Sequence, residues 1–243
     1  MRRSAERLTV RAALARCRLA ICPRALLALG MVFVLAAPAA GQQGRLEPSD
    51  DAATDPSWIA FKSRLLDALA RRDRQFVLSV LDPNVRNGPG AKRGVAEFRR
   101  QWDLDGKDSA LWRELPAALF LGGAYAKPAK GATEYCVPYV AVRWPQGVDR
   151  FTHGAITAKD ALVKSAPSAA APTLQALSYD IVRVLDWELP DESKDSPQKW
   201  VKIEVSAGAG FVPEEQIRSA AEHRACFSKA GGTWKMTALA AGE

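Results

Sequence analysis

The chain has 243 residues, 48% of them hydrophobic and 25% charged, with 34 Lys and Arg against 27 Asp and Glu. Seven Arg and one Glu fall in residues 1–43, so the remaining chain carries 27 basic and 26 acidic residues and the formal +7 shrinks to +1. That near-neutrality argues against a nucleic-acid partner, which calls for a clustered basic face on the folded part. A remainder of about 200 residues suits one compact domain plus a small one.

Arg2, Arg3, Arg7, Arg11, Arg16, Arg18 and Arg24 precede an apolar run from Ala25 to Ala40 that ends in Ala37-Pro38-Ala39-Ala40-Gly41. A basic start, a short apolar stretch and small residues at its end predict an export signal over residues 1–41, removed on processing. The run is broken too early to serve as a stable membrane anchor, which needs about 20 apolar residues. Cys22 lies upstream of it with no small residue before it, against lipidation. The expected location is periplasmic or secreted, where thiols oxidise. Cys17 and Cys22 leave with the signal, and Cys136 and Cys226 remain. Either they form a disulfide, closing a loop of about 90 residues for roughly 4 kcal/mol in the chain-entropy model, or they are two buried free thiols; the bridge is the preferred reading.

Residues 42–54 are polar, acidic and small and predict a disordered leader. Asp55-Pro56 then predicts a helix start, because Asp accepts from unpaired amides of the first turn and Pro gives up only an amide without an intrahelical acceptor. Trp58, Phe61, Leu65, Leu66 and Leu69 recur at helical spacing. Phe76, Val77, Val80 and Leu81 predict a second short helix ending at Asp82-Pro83, followed by a loop over Asn84–Gly94. Val95 to Phe98 with Trp102 predict a third helix. Ser109 opens a fourth, with Leu111, Trp112, Leu115, Leu119 and Phe120 as its apolar stripe and Gly122-Gly123 as its end. From Thr133 the period changes: Tyr135, Val137, Tyr139, Val140, Val142 and Trp144 predict a strand, at an edge or bulge because of Pro138. Short β-rich runs interrupted by turns fill residues 150–217. Ala225 to Ser228 and Thr233 to Leu239, around Gly231-Gly232, predict a terminal hairpin, and since a lone hairpin is marginal in water it needs a partner surface. The organisation is therefore α+β: a helical part with a small antiparallel sheet over 55–149, a β-barrel over 150–217, and a hairpin over 218–243 that packs back on the first domain.

Within the barrel segment, Ala161-Leu162-Val163-Lys164, the turn Ala166-Pro167-Ser168, Ile181 to Leu185, Trp200 to Ile203 and Gly210-Phe211-Val212 resemble the bacterial SH3-like pattern of strand, Gly-Pro-Ser turn, hydrophobic pair, Trp-x-x-Val strand and Gly-Trp-Val. The likeness covers about residues 150–217. The sequence departs from the pattern at Leu162 and Lys164 and at Tyr179-Asp180, so the fold is implied but not the ligand. The helical start and β-rich finish also resemble cone-shaped domains of the nuclear-transport-factor type. The SH3-like resemblance implies a groove between loops in which aromatic side chains bind, with Tyr179, Trp187, Trp200 and Phe211 as the candidates. It also implies peptidoglycan, a peptide or an envelope protein as partner.

Catalytic signals are weak. His153, at the mouth of the barrel, and His223, before the hairpin, lie in no hydrolase or zinc motif and read as surface or strand-end residues. Two Cys about 90 residues apart with two isolated His do not make a zinc site. Asp186, Glu188, Asp191, Glu192 and Asp195 lack the glycine-punctuated calcium pattern and read as a solvated loop. No cofactor is expected. The sequence therefore points to a non-catalytic envelope binding protein, with a small-molecule-binding or degenerate hydrolase domain carrying an accessory barrel as the rival.

Overall fold

A computed structural model describes residues 44–126, 133–193, 195–206 and 208–242. The predicted export signal, with Cys17 and Cys22, lies outside the described residues. Among the described residues, five α-helices and twelve strands are arranged as a helical layer on one sheet and a second sheet built from the middle of the chain. The α+β class expected from the sequence holds.

Helix α1 (Pro56–Ala70) starts where Asp55 accepts from the Ser57 and Trp58 amides. Trp58, Phe61, Leu65 and Leu69 are buried on its inner face. The Trp58 ring lies 4.6 Å from Tyr135, 5.0 Å from Phe227 and 5.1 Å from Trp234, centroid to centroid. These rings fill the space between the helices and the first sheet, and truncating Trp58 to Ala would cost about 3–5 kcal/mol.

After α2 (Arg74–Ser79), capped by Asp73, residues Leu81–Arg86 form strand β1 rather than the helix end and loop expected there. Leu81 and Val85 point into the core. Strand β1 lies at the edge of its sheet, where the missing amide of Pro83 disrupts no ladder. Two more helices follow, α3 (Val95–Gln101) and α4 (Leu111–Phe120), then strands β2 (Ala124–Ala126) and β3 (Glu134–Val137). The strand expected to run on to Trp144 stops at Pro138, and Tyr139–Arg143 form the short helix α5, which buries Tyr139 and Val140.

The terminal hairpin, β11 (Arg224–Ala230) and β12 (Thr233–Ala240), turns at Gly231-Gly232, both at positive φ. It enters the first sheet, of order β1-β12-β11-β3-β2. The β1–β12 pairing is parallel, so the sheet is mixed and not purely antiparallel. Cys136 on β3 and Cys226 on β11 face each other in register and form a disulfide with S–S 2.01 Å.

Between β3 and β11 the chain builds β4 (His153–Ile156), β5 (Ala161–Lys164), β6 (Thr173–Leu177), β7 (Ile181–Pro190), β8 (Lys199–Val205), β9 (Gly208–Pro213) and β10 (Ile217–Arg218). Their order is β10-β4-β7-β8-β9-β5-β6. Ile156, Val163, Leu177, Val182, Ile203, Val212 and Ile217, one from each strand, meet in a single core, so the sheet curls on itself. No hydrogen bonding joins the end strands β10 and β6, and closure of a barrel is not seen among the described residues.

The expected disordered leader is ordered from residue 44 onward. The Leu46 amide donates to the Tyr179 carbonyl and Ile181 to Gly44, an addition to the second sheet. Asp50 accepts from the Tyr135 hydroxyl at 2.5 Å, and Asp51 from the Tyr125 amide and from Arg143. Its acidic composition serves these partners instead of water. Buried Leu46 packs with Tyr139, Ala155, Ile181 and Ala220, joining the leader, α5 and the second sheet in one small core.

Candidate ligand-binding cleft

Helix α4 is covered on only one side. Leu111, Leu115, Ala118 and Leu119 are buried in the helical core. Ala110, Arg113, Glu114, Ala117, Phe120 and Leu121, at the i, i+3, i+4, i+7 spacing of one helix face, line a cleft of about 1220 Å³. Phe120, expected within the buried stripe, is 73% exposed at its rim. The remaining wall comes from the second sheet and its connections: Trp187 and Glu188 on β7, residues 197–199 leading into β8, and Glu214 and Glu215 of the 3-10 turn after β9. The floor is the segment Ile217–His223, which carries the chain from the second sheet back to the first.

Trp187 and Glu188 reach the cleft because β7 bulges there. Its register against β8 shifts twice between Val184 and Leu189, and Glu188 sits at φ 56°. A bulge re-aims side chains out of strict alternation. Trp187 lies half-buried against the barrel-segment core and lines the cleft.

Charged groups converge at the floor. Arg218, its side chain 10% exposed, lies 3.2 Å from Glu222 and 4.0 Å from Glu114, and donates to the His223 carbonyl at 3.1 Å. The His223 ring stands 3.6 Å from Glu114 and packs on Trp102, centroids 4.9 Å apart. At 3.6 Å the contact with Glu114 is an ion-pair distance for a protonated imidazole, longer than a direct hydrogen bond. The ring is the strongest influence on Glu114; against the opposing effect of burial, and with Arg113 and Arg218 beside it, it holds that carboxyl at a pKa of about 2. Burial pushes the Glu222 carboxyl up, opposed by the Arg218 charge and the Ser219 amide. This network fastens α4 to the connection between the two sheets. The Ser219 hydroxyl donates to the Arg150 carbonyl at 2.8 Å, so it is engaged rather than presented to His223.

The four aromatic candidates do not assemble. Trp187 alone among them lines the cleft. Trp200 is 2% exposed and donates its indole N–H to Asp191 at 2.7 Å, so it belongs to the interior and to a loop tether, not to a ligand surface. Phe211 lies on the sheet face opposite buried Val212, with the Lys202 ammonium 5.9 Å from its ring. Tyr179 sits at φ 62° in the turn that receives the leader. Both histidines stand at strand ends as expected, though not on the surface: His153 opens β4 and is buried, its Nδ1 within 3.1 Å of the Asp149 carbonyl, and His223 precedes β11, half-buried in the charge network. Glu134 lies with Cys136 and Cys226 in a group of metal-ligand atom types, but the sulfurs bind each other and Arg86 grips the carboxylate at 2.6 and 3.1 Å. Sequence reasoning missed Glu114, Arg218 and Glu222. The one available signal was the polar pair Arg113-Glu114 on a helix whose other side is fully apolar.

No protein-family model matches the chain, and no curated protein matches it. Among solved structures, a designed protein named Rd1NTF2_05, in a form with five substitutions, aligns with 76% of this chain and 96% of its own length, at 13% identity and a TM-score of 0.26. That score is too low to establish a shared fold.

Proposed function

We propose that this protein is a non-catalytic binding protein of the cell envelope, exported to the periplasm or beyond, in which the curled sheet is an SH3-like module and the cleft beside α4 is its ligand groove. Peptidoglycan, a peptide or an envelope protein is the partner. The observation that carries this reading is the open face of α4 sharing a cleft with the β7 bulge, with Phe120 and Trp187 offering apolar contact among charged groups. Concave sites at the junction of two structural layers, mostly apolar with a few polar groups, are the usual form of a ligand pocket. The export signal read from residues 1–41 and the Cys136–Cys226 disulfide both suit an oxidising compartment. The rival, a small-molecule or degenerate hydrolase unit, has the convergence of His223 with Glu114 and Glu222 in its favour. Against it, those groups are held by Arg218, Arg113 and Trp102.

The test is co-sedimentation of the mature protein with purified sacculi. The protein is expected in the pellet, and Trp187→Ala is expected to move much of it to the supernatant without altering its circular dichroism. Wild-type protein left wholly in the supernatant, with no envelope protein co-purifying after wall digestion, overturns the reading.

A further inference from the structure

The carboxylates of the cleft are not equally satisfied. Glu114 and Glu222 are engaged by Arg218 and its neighbours, and Glu215 accepts from Gln198 at 2.6 Å. Glu188 and Glu214 make no ion pair or side-chain hydrogen bond among the described residues. Glu214 is half-buried; burial, and then repulsion from Glu188 and Glu222, push its carboxyl above the ordinary glutamate value, while Arg113 and Lys199 pull the other way. Two carboxylates that repel each other thus line the cleft together with Trp187 and Phe120. On the floor, Arg218 is nine-tenths buried and its Nε–H finds no acceptor. The cleft therefore holds five glutamates against Arg113, Lys199 and Arg218, with Glu188 and Glu214 in no ion pair among the described residues, beside open aromatic surface.

We propose that the cleft receives a peptide segment bearing a primary ammonium group, the ammonium on Glu188 and Glu214 and its aliphatic stem against Trp187 and Phe120. This rests on the binding reading above and names the chemistry of its ligand. A lysine-type ammonium is a compact charge with three donors, able to serve two separate carboxylates. Its methylene stem covers apolar surface while the head keeps polar company. A neutral side chain of equal length would gain the apolar contact and leave the repulsion between the two carboxylates in place.

Calorimetric titration of the mature protein with an N-acetylated, C-amidated pentapeptide, Ala-Leu-Lys-Leu-Ala, and with its glutamine counterpart tests this. The lysine peptide is expected to bind about tenfold more tightly, the scale of one charge-assisted contact. That advantage is expected to shrink in about 0.5 M salt. The double variant Glu188→Gln, Glu214→Gln is expected to lose the preference while keeping or raising its thermal midpoint, and Trp187→Ala to weaken both peptides alike. Equal affinity for the two peptides, or a lysine preference that survives in the double variant, overturns the proposal. Protein that pellets with sacculi but does not discriminate keeps the binding reading and loses this inference. Protein that discriminates but stays out of the pellet keeps the cleft chemistry and loses the wall as its source.

Discussion

Replacing Glu114 with Gln removes one charge from the network while keeping the side chain's shape. Arg113 is 81% exposed, so its pairing with Glu114 contributes little. Arg218 is different, with 10% of its side chain exposed and the carboxylate 4.0 Å away, where a pair of unit charges at an effective dielectric of about 20 interacts by roughly 4 kcal/mol before desolvation is deducted. The depression of the Glu114 pKa from 4.5 to about 2, to which the His223 ring contributes most and Arg113 and Arg218 less, sets a ceiling of about 3 kcal/mol for all its partners together. A loss of about 2 kcal/mol at pH 7 is expected, or roughly 4–8 °C in midpoint for a chain of this size. The pH dependence carries a definite sign. A carboxyl whose folded pKa is depressed stabilises fully above its unfolded value and loses that contribution as pH falls through the folded one. The gap between wild type and Glu114→Gln is therefore expected at full size at pH 7, to narrow below about pH 4.5 and to close near pH 2. Urea unfolding followed by tryptophan fluorescence at pH 7, 4 and 2.5 measures it. No gap at pH 7, or a gap as large at pH 2.5, refutes the network as a stabilising tie.

Removing both cysteines, Cys136→Ala with Cys226→Ala, frees a connection of 90 residues and is expected to cost about 4 kcal/mol; an unchanged urea midpoint would show that the bridge contributes nothing. Trp200→Phe forfeits the 2.7 Å bond to Asp191 and some packing, for about 1–3 kcal/mol, yet should pellet with sacculi as wild type does, and selective loss of binding with an intact fold would return Trp200 to the ligand surface. In Gly123→Ala the new methyl would stand 2.4 Å from the Cys136 carbonyl oxygen and 2.8 Å from Tyr135 and Val137, an overpacking worth about 1–3 kcal/mol or more. Gly147→Ala meets nothing within 4 Å and pays only for its φ of 86°, about 1–2 kcal/mol; equal thermal midpoints for the two variants would contradict the close approach of β2 to β3.

Short-range chemistry was legible in the sequence. Asp55-Pro56 opens α1, the apolar spacing of Trp58, Phe61, Leu65 and Leu69 marks its buried side, Gly231-Gly232 turns the last hairpin, and the two cysteines downstream of the expected export signal pair with each other. Each depends on neighbours in the chain or on simple counting. The misread segments are those whose conformation is set by distant partners. Leu81–Arg86 becomes a strand because β12, about 150 residues later, offers it an edge. The leader is ordered because Tyr135, Tyr125, Arg143 and Tyr179 supply the groups its acidic residues and amides need. Phe120 looks like one more core residue by periodicity, and only the placement of α4 against the second sheet leaves it at a rim.

Local propensity, capping and alternation therefore determined the class of the protein and most of its elements. The cleft was decided by tertiary structure alone, since it exists only where a helix face at residues 110–121 meets a bulge at 187–188 and a connection at 217–223. Spacing along a chain records which side chains share a face, but not which face of another element, a hundred residues away, will be folded against it.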